Sequence, residues 1–257
     1  MSLEQSASMI LWFIMGICIF SFFNVVIYRV PNHMDFVKGR SICPACGHTL
    51  SGMDLVPLFS WLFLRGKCRY CQIKISSRYF FVELWGGVCA LISYSFWGNT
   101  PKAILYFGFF GLLTVISLVD WDTMTIPNGF VIAMFVLAIC SLLLGEQLPW
   151  FDRVIGFFVI SLPMLLLTLI IPGAFGGGDI KLMAVAGIFL GWKLCLFSFF
   201  VGVIFGGIYG TYLMKTRKKG RKDHLPFGPF LCFGMMVAVC FGNEIINWYV
   251  SGLFLSV

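Results

Sequence analysis

Asp120 closes one long apolar run, and Asp179 follows three glycines at the start of another. An ionisable residue beside a lipid-embedded segment is costly, so it marks a functional or paired position by default. Two carboxyl groups brought within a few Å do not both ionise readily; one takes up a proton and the other stays charged. Such a pair supplies a general acid and a general base around one water. That suffices to attack a peptide carbonyl without a metal or a covalent intermediate. The competing reading is that these residues cap helix ends, a task for which Asp is well suited. Residue chemistry alone leaves the two readings level. Other catalytic patterns are missing: His33, His48 and His224 show no H-E-x-x-H spacing, and no G-x-S-x-G occurs.

The second group is four cysteines. Cys43-Pro44-Ala45-Cys46 and Cys68-Arg69-Tyr70-Cys71 are two CxxC pairs with 21 residues between them. Four thiolates at this spacing suit tetrahedral zinc. A redox pair and iron–sulfur ligation are the alternatives, and His48 is a competing ligand. A small polar loop has little core of its own, so a metal would supply much of its folding energy. The other cysteines, Cys18, Cys89, Cys140, Cys195, Cys232 and Cys240, are scattered through apolar segments and read as packing residues.

These groups must be positioned by membrane helices. Of 257 residues, 60% are hydrophobic and 11% charged, against about 25% charged in an ordinary soluble domain. The apolar runs are long rather than alternating, which excludes a barrel. With Glu4 the only charge ahead of the first run, the N-terminus does not read as a cleavable signal. The fold class expected is an all-α polytopic membrane protein with about eight transmembrane helices and a small zinc-binding cytoplasmic loop domain. Its parts are a first transmembrane helix over 9–29, the CxxC…CxxC loop domain over 30–78 and a membrane-embedded domain over 79–257. The segment after Asp179, ending near Leu190, is short for a span of about 20 residues. Its glycine-rich lead-in is therefore placed within the membrane, lining a polar cavity.

Eight of the 18 basic residues fall between Arg29 and Arg78, and six more between Lys215 and Lys222. Basic loops stay in the cytoplasm. An eight-helix arrangement with both termini outside leaves only Lys102, Arg153 and Lys193 on the outer side. The basic runs are thus explained by topology, and no nucleic-acid partner is expected. It also places Asp120 and Asp179 at one membrane depth. Gly202, Gly206 and Gly210, spaced by four, permit close helix contact, either inside the fold or in a dimer. No convincing internal repeat is seen.

The motifs together resemble the bacterial type IV prepilin peptidases, bifunctional leader peptidase/N-methyltransferases of the GxGD aspartic protease class. The resemblance covers almost the whole chain. It is carried by 21–29 (SFFNVVIYR), 40–48 (RSICPACGH), 57–62 (PLFSWL), 65–71 (RGKCRYC), 75–79 (ISSRY) and 82–84 (VEL). It continues through Asp120 with Ile126-Pro127-Asn128, then Gly176-Gly177-Gly178-Asp179-Ile180-Lys181 and Pro226-Phe227-Gly228-Pro229. It implies cleavage of a type IV prepilin or pseudopilin leader at the cytoplasmic face of the bacterial inner membrane. It further implies N-methylation of the new N-terminus from S-adenosylmethionine. The catalytic pair it implies is Asp120 and Asp179, with Asp122 outside the chemistry. Its methylation region maps to Gly66 and Lys67, for which the plain alternative is a turn residue and a surface cation. Nothing here looks like a soluble S-adenosylmethionine-binding fold. Glu83 either shapes the site or caps a helix. Many members have Pro-Asp where this chain has Pro127-Asn128, which weakens any claim for a carboxylate there. The runner-up functions are a proton-coupled transporter using the aspartates as a relay and a zinc-stabilised membrane adaptor without chemistry.

Overall fold

The computed structural model describes residues 3–43, 45–144, 148–216 and 225–254. Of the basic run from Lys215 to Lys222, only Lys215 lies among them; His224 also lies outside them. The chain is helical, and no strand occurs among the described residues, only the isolated bridges Ile42–Thr49 and Lys67–Lys74. The helices are α1 (Leu3–Arg29), α2 (Phe59–Phe63), α3 (Arg78–Trp97), α4 (Pro101–Thr123), α5 (Asn128–Leu143), α6 (Trp150–Val159), α7 (Ser161–Ile170), α8 (Gly177–Lys215) and α9 (Gly228–Phe254). Six stretches are long and apolar enough to cross a membrane, with α6 and α7 counted as one; α5 is apolar but shorter. Helix α8 is broken at Gly191, whose φ of 74° no helix accommodates. The expected count of about eight is reached only by adding α5 and by taking the two arms of α8 separately.

Contacts divide the chain into two compact units, Met1–Phe107 and Gly108–Val257. In the first, α1 and α3 pack through small residues. Gly16 meets the backbone of Gly86 and the methyl of Ala90, and Gly86 and Gly87 receive Phe20 and Phe13. Removing side chains at these points lets the backbones approach closely. Asn24, buried on α1, donates from Nδ2 to the Tyr79 carbonyl at 3.2 Å. At the end of α1 the Arg29 guanidinium donates to the carbonyls of Asp35, Lys38 and Arg40 at 3.0–3.3 Å, tying down the start of the loop.

In the second unit α8 is the hub, with α5, α6, α7 and α9 packed on it. Gly156 of α6 crosses Gly187 of α8 backbone to backbone, and Gly234 of α9 crosses α8 at Ser198 and Gly202. Gly202, Gly206 and Gly210 all face Leu225–Leu231 of the segment entering and forming α9, so this stripe packs within the unit. The break at Gly191 frees carbonyls of the preceding turn, which cannot remain unpaired in an apolar interior. Arg153 supplies a partner: its Nη1 donates to the Ile188 carbonyl at 3.0 Å and to Ser141 Oγ at 2.9 Å. Arg153, counted from sequence among the outer-side charges, is 4% exposed and serves as an internal cap. The first arm of α8, Gly177 to Leu190, is about 21 Å long at 1.5 Å per residue, short of the ~30 Å hydrocarbon core.

Candidate active site and metal centre

Asp120 lies in the last turn of α4, on the face that buries Phe109, Leu113, Ile116 and Val119, and is 5% exposed. Residues two apart on a helix point to nearly opposite sides, so Asp122 is exposed. Helix α4 stops at Met124, in left-handed conformation at φ 53°, and the chain turns through Ile126-Pro127 into α5. Asp179 sits in the first turn of α8 and is 8% exposed. The two carboxyl groups, far apart in sequence, lie within electrostatic reach of each other, and Cys232 on α9 is within reach of both.

Each aspartate lies against a glycine backbone. Gly228 N–H donates to Asp120 Oδ2 at 3.0 Å, and the Gly176 backbone lies beside the Asp179 carboxylate. Asp179 Oδ1 is buried with no hydrogen-bond partner among the described residues. A buried oxygen without a protein partner is costly for a residue that only caps a helix, so helix capping alone does not account for this residue.

The glycine pattern before Asp179 now has a steric meaning. A Cβ on Gly176 would stand 3.0 Å from Asp179 Oδ2, and one on Gly178 would stand 2.9 Å from Ile126 Cβ. A Cβ on Gly177 would meet nothing within 4 Å. The first and third glycines thus sit in close contact, and the middle one does not. Lys181 Nζ donates to Asn128 Oδ1 at 3.1 Å, which docks the start of α5 on the start of α8. A neutral acceptor suffices there, so the departure from Pro-Asp leaves the geometry intact. Gly177→Ala should cleave substrate at near the wild-type rate, while Gly176→Ala and Gly178→Ala should lose on the order of 10²-fold in kcat through misplacement of Asp179. Equal rates for all three in a leader-cleavage assay would refute this account.

The four-cysteine loop folds as two matching knuckles. In each, the first Cys donates its N–H to the carbonyl five residues on (Cys43 to His48, Cys68 to Ile73, both 2.9 Å). Its own carbonyl accepts from the N–H four residues on (Gly47 at 2.9 Å, Gln72 at 3.0 Å). Both of those residues are left-handed, at φ 68° and 58°, and each knuckle is closed by one of the isolated bridges. Sequence inspection missed this repeat because only the cysteines coincide and Gln72 stands where the first knuckle has glycine.

The Sγ atoms of Cys43, Cys46, Cys68 and Cys71 all lie within 4.8 Å of one another, and none is in a disulfide. Tetrahedral ligands at a Zn–S distance of about 2.3 Å would be about 3.8 Å apart; Cys43 and Cys71 are 3.8 Å apart. The donor set therefore fits zinc.

Asp54 braces this loop, accepting from Ser51 Oγ (2.7 Å) and N (3.0 Å), Arg69 Nε (2.6 Å) and Tyr70 Oη (3.1 Å). The Ser51 hydroxyl first, then Arg69, holds its carboxyl below the usual range. Its contribution is therefore present above the ordinary carboxylate pKa near 3.8 and lost on acidification through the folded-state value below it.

Gly66 has φ 67°, and a Cβ there would press on the Trp61 indole at 2.9 Å. Its N–H is used by the Trp61 carbonyl and its carbonyl by Ile75 N–H. Lys67 is exposed. Both backbone groups of Gly66 are thus committed to the turn, and no step is assigned through S-adenosylmethionine.

Glu83, 9% exposed on α3, accepts the Leu58 N–H at 2.8 Å and bonds Ser21 of α1. Leu58 is left-handed at φ 62°, so this carboxylate pins a strained turn. Glu83→Ala should cost about 1–3 kcal/mol by leaving a buried donor unpaired, read as lowered thermal stability. An unchanged melting temperature would remove Glu83 from this role.

Family models match in two places: the bacterial peptidase A24 N-terminal domain over residues 14–97 and the type IV leader peptidase family over 107–211. A prepilin leader peptidase/N-methyltransferase of Bacillus subtilis is 32% identical, covering 93% of this chain and 96% of that protein. One of Aeromonas salmonicida is 30% identical over 93% and 92%, and one of Pseudomonas putida 27% over 95% and 94%. No solved structure matches at comparable significance. With apolar helices fit to cross a membrane, two buried aspartates within electrostatic reach and relatives matched end to end, the chain is a multi-pass membrane protein that belongs to the type IV leader peptidase family.

Proposed function

We propose that this protein is an endopeptidase of type IV prepilin-like precursors that also N-methylates the mature N-terminus. It sits in the bacterial inner membrane with both termini outside and the cysteine loop cytoplasmic. Orientation is supported by the basic residues between Arg29 and Arg78. The observation that carries the peptidase reading is the burial of Asp120 and Asp179 within electrostatic reach of each other, Asp120 being fixed by the Gly228 N–H. Methylation is carried by the names of the relatives, each a leader peptidase/N-methyltransferase. S-adenosylmethionine is the methyl donor this activity implies, and the four-cysteine centre holds structural zinc.

The ionised carboxyl of the pair takes a proton from water as its oxygen attacks the scissile carbonyl carbon. The protonated carboxyl gives its proton to the carbonyl oxygen, forming a gem-diol. Collapse breaks the C–N bond. The proton taken from water passes to the leaving amine, and the gem-diol returns the other, leaving a free carboxyl on the leader. The scissile bond joins a polar leader to an apolar helix, so packing of that helix in the membrane brings the bond to the depth of the aspartates.

The test is purified protein in detergent with a prepilin carrying its leader, read by mass spectrometry with and without S-adenosylmethionine. Loss of the leader, plus one methyl when the donor is present, is the expected result. An intact protein that leaves the leader in place but moves protons across vesicles would overturn the reading in favour of a relay.

A further inference from the structure

Two Phe-Gly steps, far apart in sequence, stand at the two aspartates. Phe175-Gly176 precedes α8, with its glycine beside the Asp179 carboxylate; Phe227-Gly228 opens α9 and gives its glycine N–H to Asp120. The rings of Phe175 and Phe227 are 5.8 Å apart and share a third neighbour, Phe199, at 6.4 and 6.3 Å. The aromatic trio thus ties one glycine to the other, and with them the carboxyl groups they lie against.

We propose that Gly228, within Pro226-Phe227-Gly228-Pro229, is a positioning residue for peptide cleavage, and that the Phe175–Phe227 contact makes the two Phe-Gly steps a single brace for the aspartate pair. The inference rests on the peptidase reading above. A Cβ at Gly228 would stand 2.7 Å from Asp120 Oδ2 and 3.1 Å from its Cγ. The group it meets is the end of a side chain, so the fold can accept alanine by moving the carboxylate rather than the backbone. Moving it breaks the N–H bond that aims it and changes its placement relative to Asp179. A roughly 1 Å misplacement at a reacting group is enough to cost about 10²-fold in rate. Gly207 on α8 is the control, because a Cβ there meets nothing within 4 Å.

The experiment compares wild type, Gly228→Ala, Gly207→Ala and Asp120→Asn for leader cleavage and, separately, for methyl transfer to a pilin already lacking its leader. Gly228→Ala is expected to lower cleavage kcat about 10²-fold with KM within about twofold. Methyl transfer and melting temperature should stay at wild-type values, as in Gly207→Ala. Cleavage at the wild-type rate overturns the proposal. So does parallel loss of cleavage and methyl transfer, or a lowered melting temperature, since either would make the glycine merely structural. Wild-type cleavage by Asp120→Asn is a different failure: it would remove the aspartate pair itself, and this inference with it.

Discussion

Asp179→Asn, and separately Asp120→Asn, should leave the protein folded and inserted while leader cleavage falls by at least about 10³-fold. Each change is nearly isosteric and removes only the capacity to carry charge or a transferable proton. A single proton transfer by a positioned side chain contributes about 10²–10⁴-fold, and a pair acting on one water fails as a unit, so the two losses will not add. Stability should not suffer. Both carboxyl groups are almost fully buried, and taking a potential charge out of an apolar interior relieves a desolvation cost. The measurement is mass spectrometry of a prepilin substrate beside thermal melting of each variant. Cleavage by the folded Asp179→Asn protein would remove Asp179 from the mechanism. A relay would show the reverse pattern, with proton flux in wild type, its loss in both variants and no leader removed by any of them.

The second large effect belongs to the metal centre. Cys43→Ser, or prolonged chelation of the wild type, should release zinc and unfold the loop between α1 and α3. That loop is held by two small knuckles, an Asp54 brace and few buried side chains; Cys43, Leu58 and Cys68 are its only buried apolar residues among those described. Structural zinc in comparable peptides provides about 10–16 kcal/mol of apparent binding energy, which is then folding energy. No other interaction among the described loop residues approaches that. Metal content by mass spectrometry should fall from one zinc per chain to none. Trypsin should then cut at the exposed Arg65, Lys67 and Arg69 while the membrane helices remain resistant. A Cys43→Ser protein that has lost zinc yet melts and resists trypsin normally would contradict the structural role.

The residue types and their periodicity determined much of this protein. Long uninterrupted apolar runs leave helices as the only spanning solution, and CxxC…CxxC spacing marks four thiolates for one centre. Asp120 and Asp179 stood out because a carboxylate beside such runs has a cost that demands a reason. Family resemblance pointed to Gly228 and Glu83, but no local signal could say what they touch. The Gly228 N–H meets a carboxylate 108 residues away in sequence, and Glu83 reaches back to the backbone of Leu58. Such pairings are set by how helices cross, and single-chain periodicity holds no information on crossings. The same holds for the break in α8 at Gly191: glycine is permissive of φ 74° but does not require it. Only the packing around Leu148 and Asp152, with Arg153 capping the freed Ile188 carbonyl, decides that the helix turns there. The G-x-G-D pattern spans both levels: its spelling is plain in the chain, and its reason lies in a carboxylate and an isoleucine that tertiary structure brings against the first and third glycines.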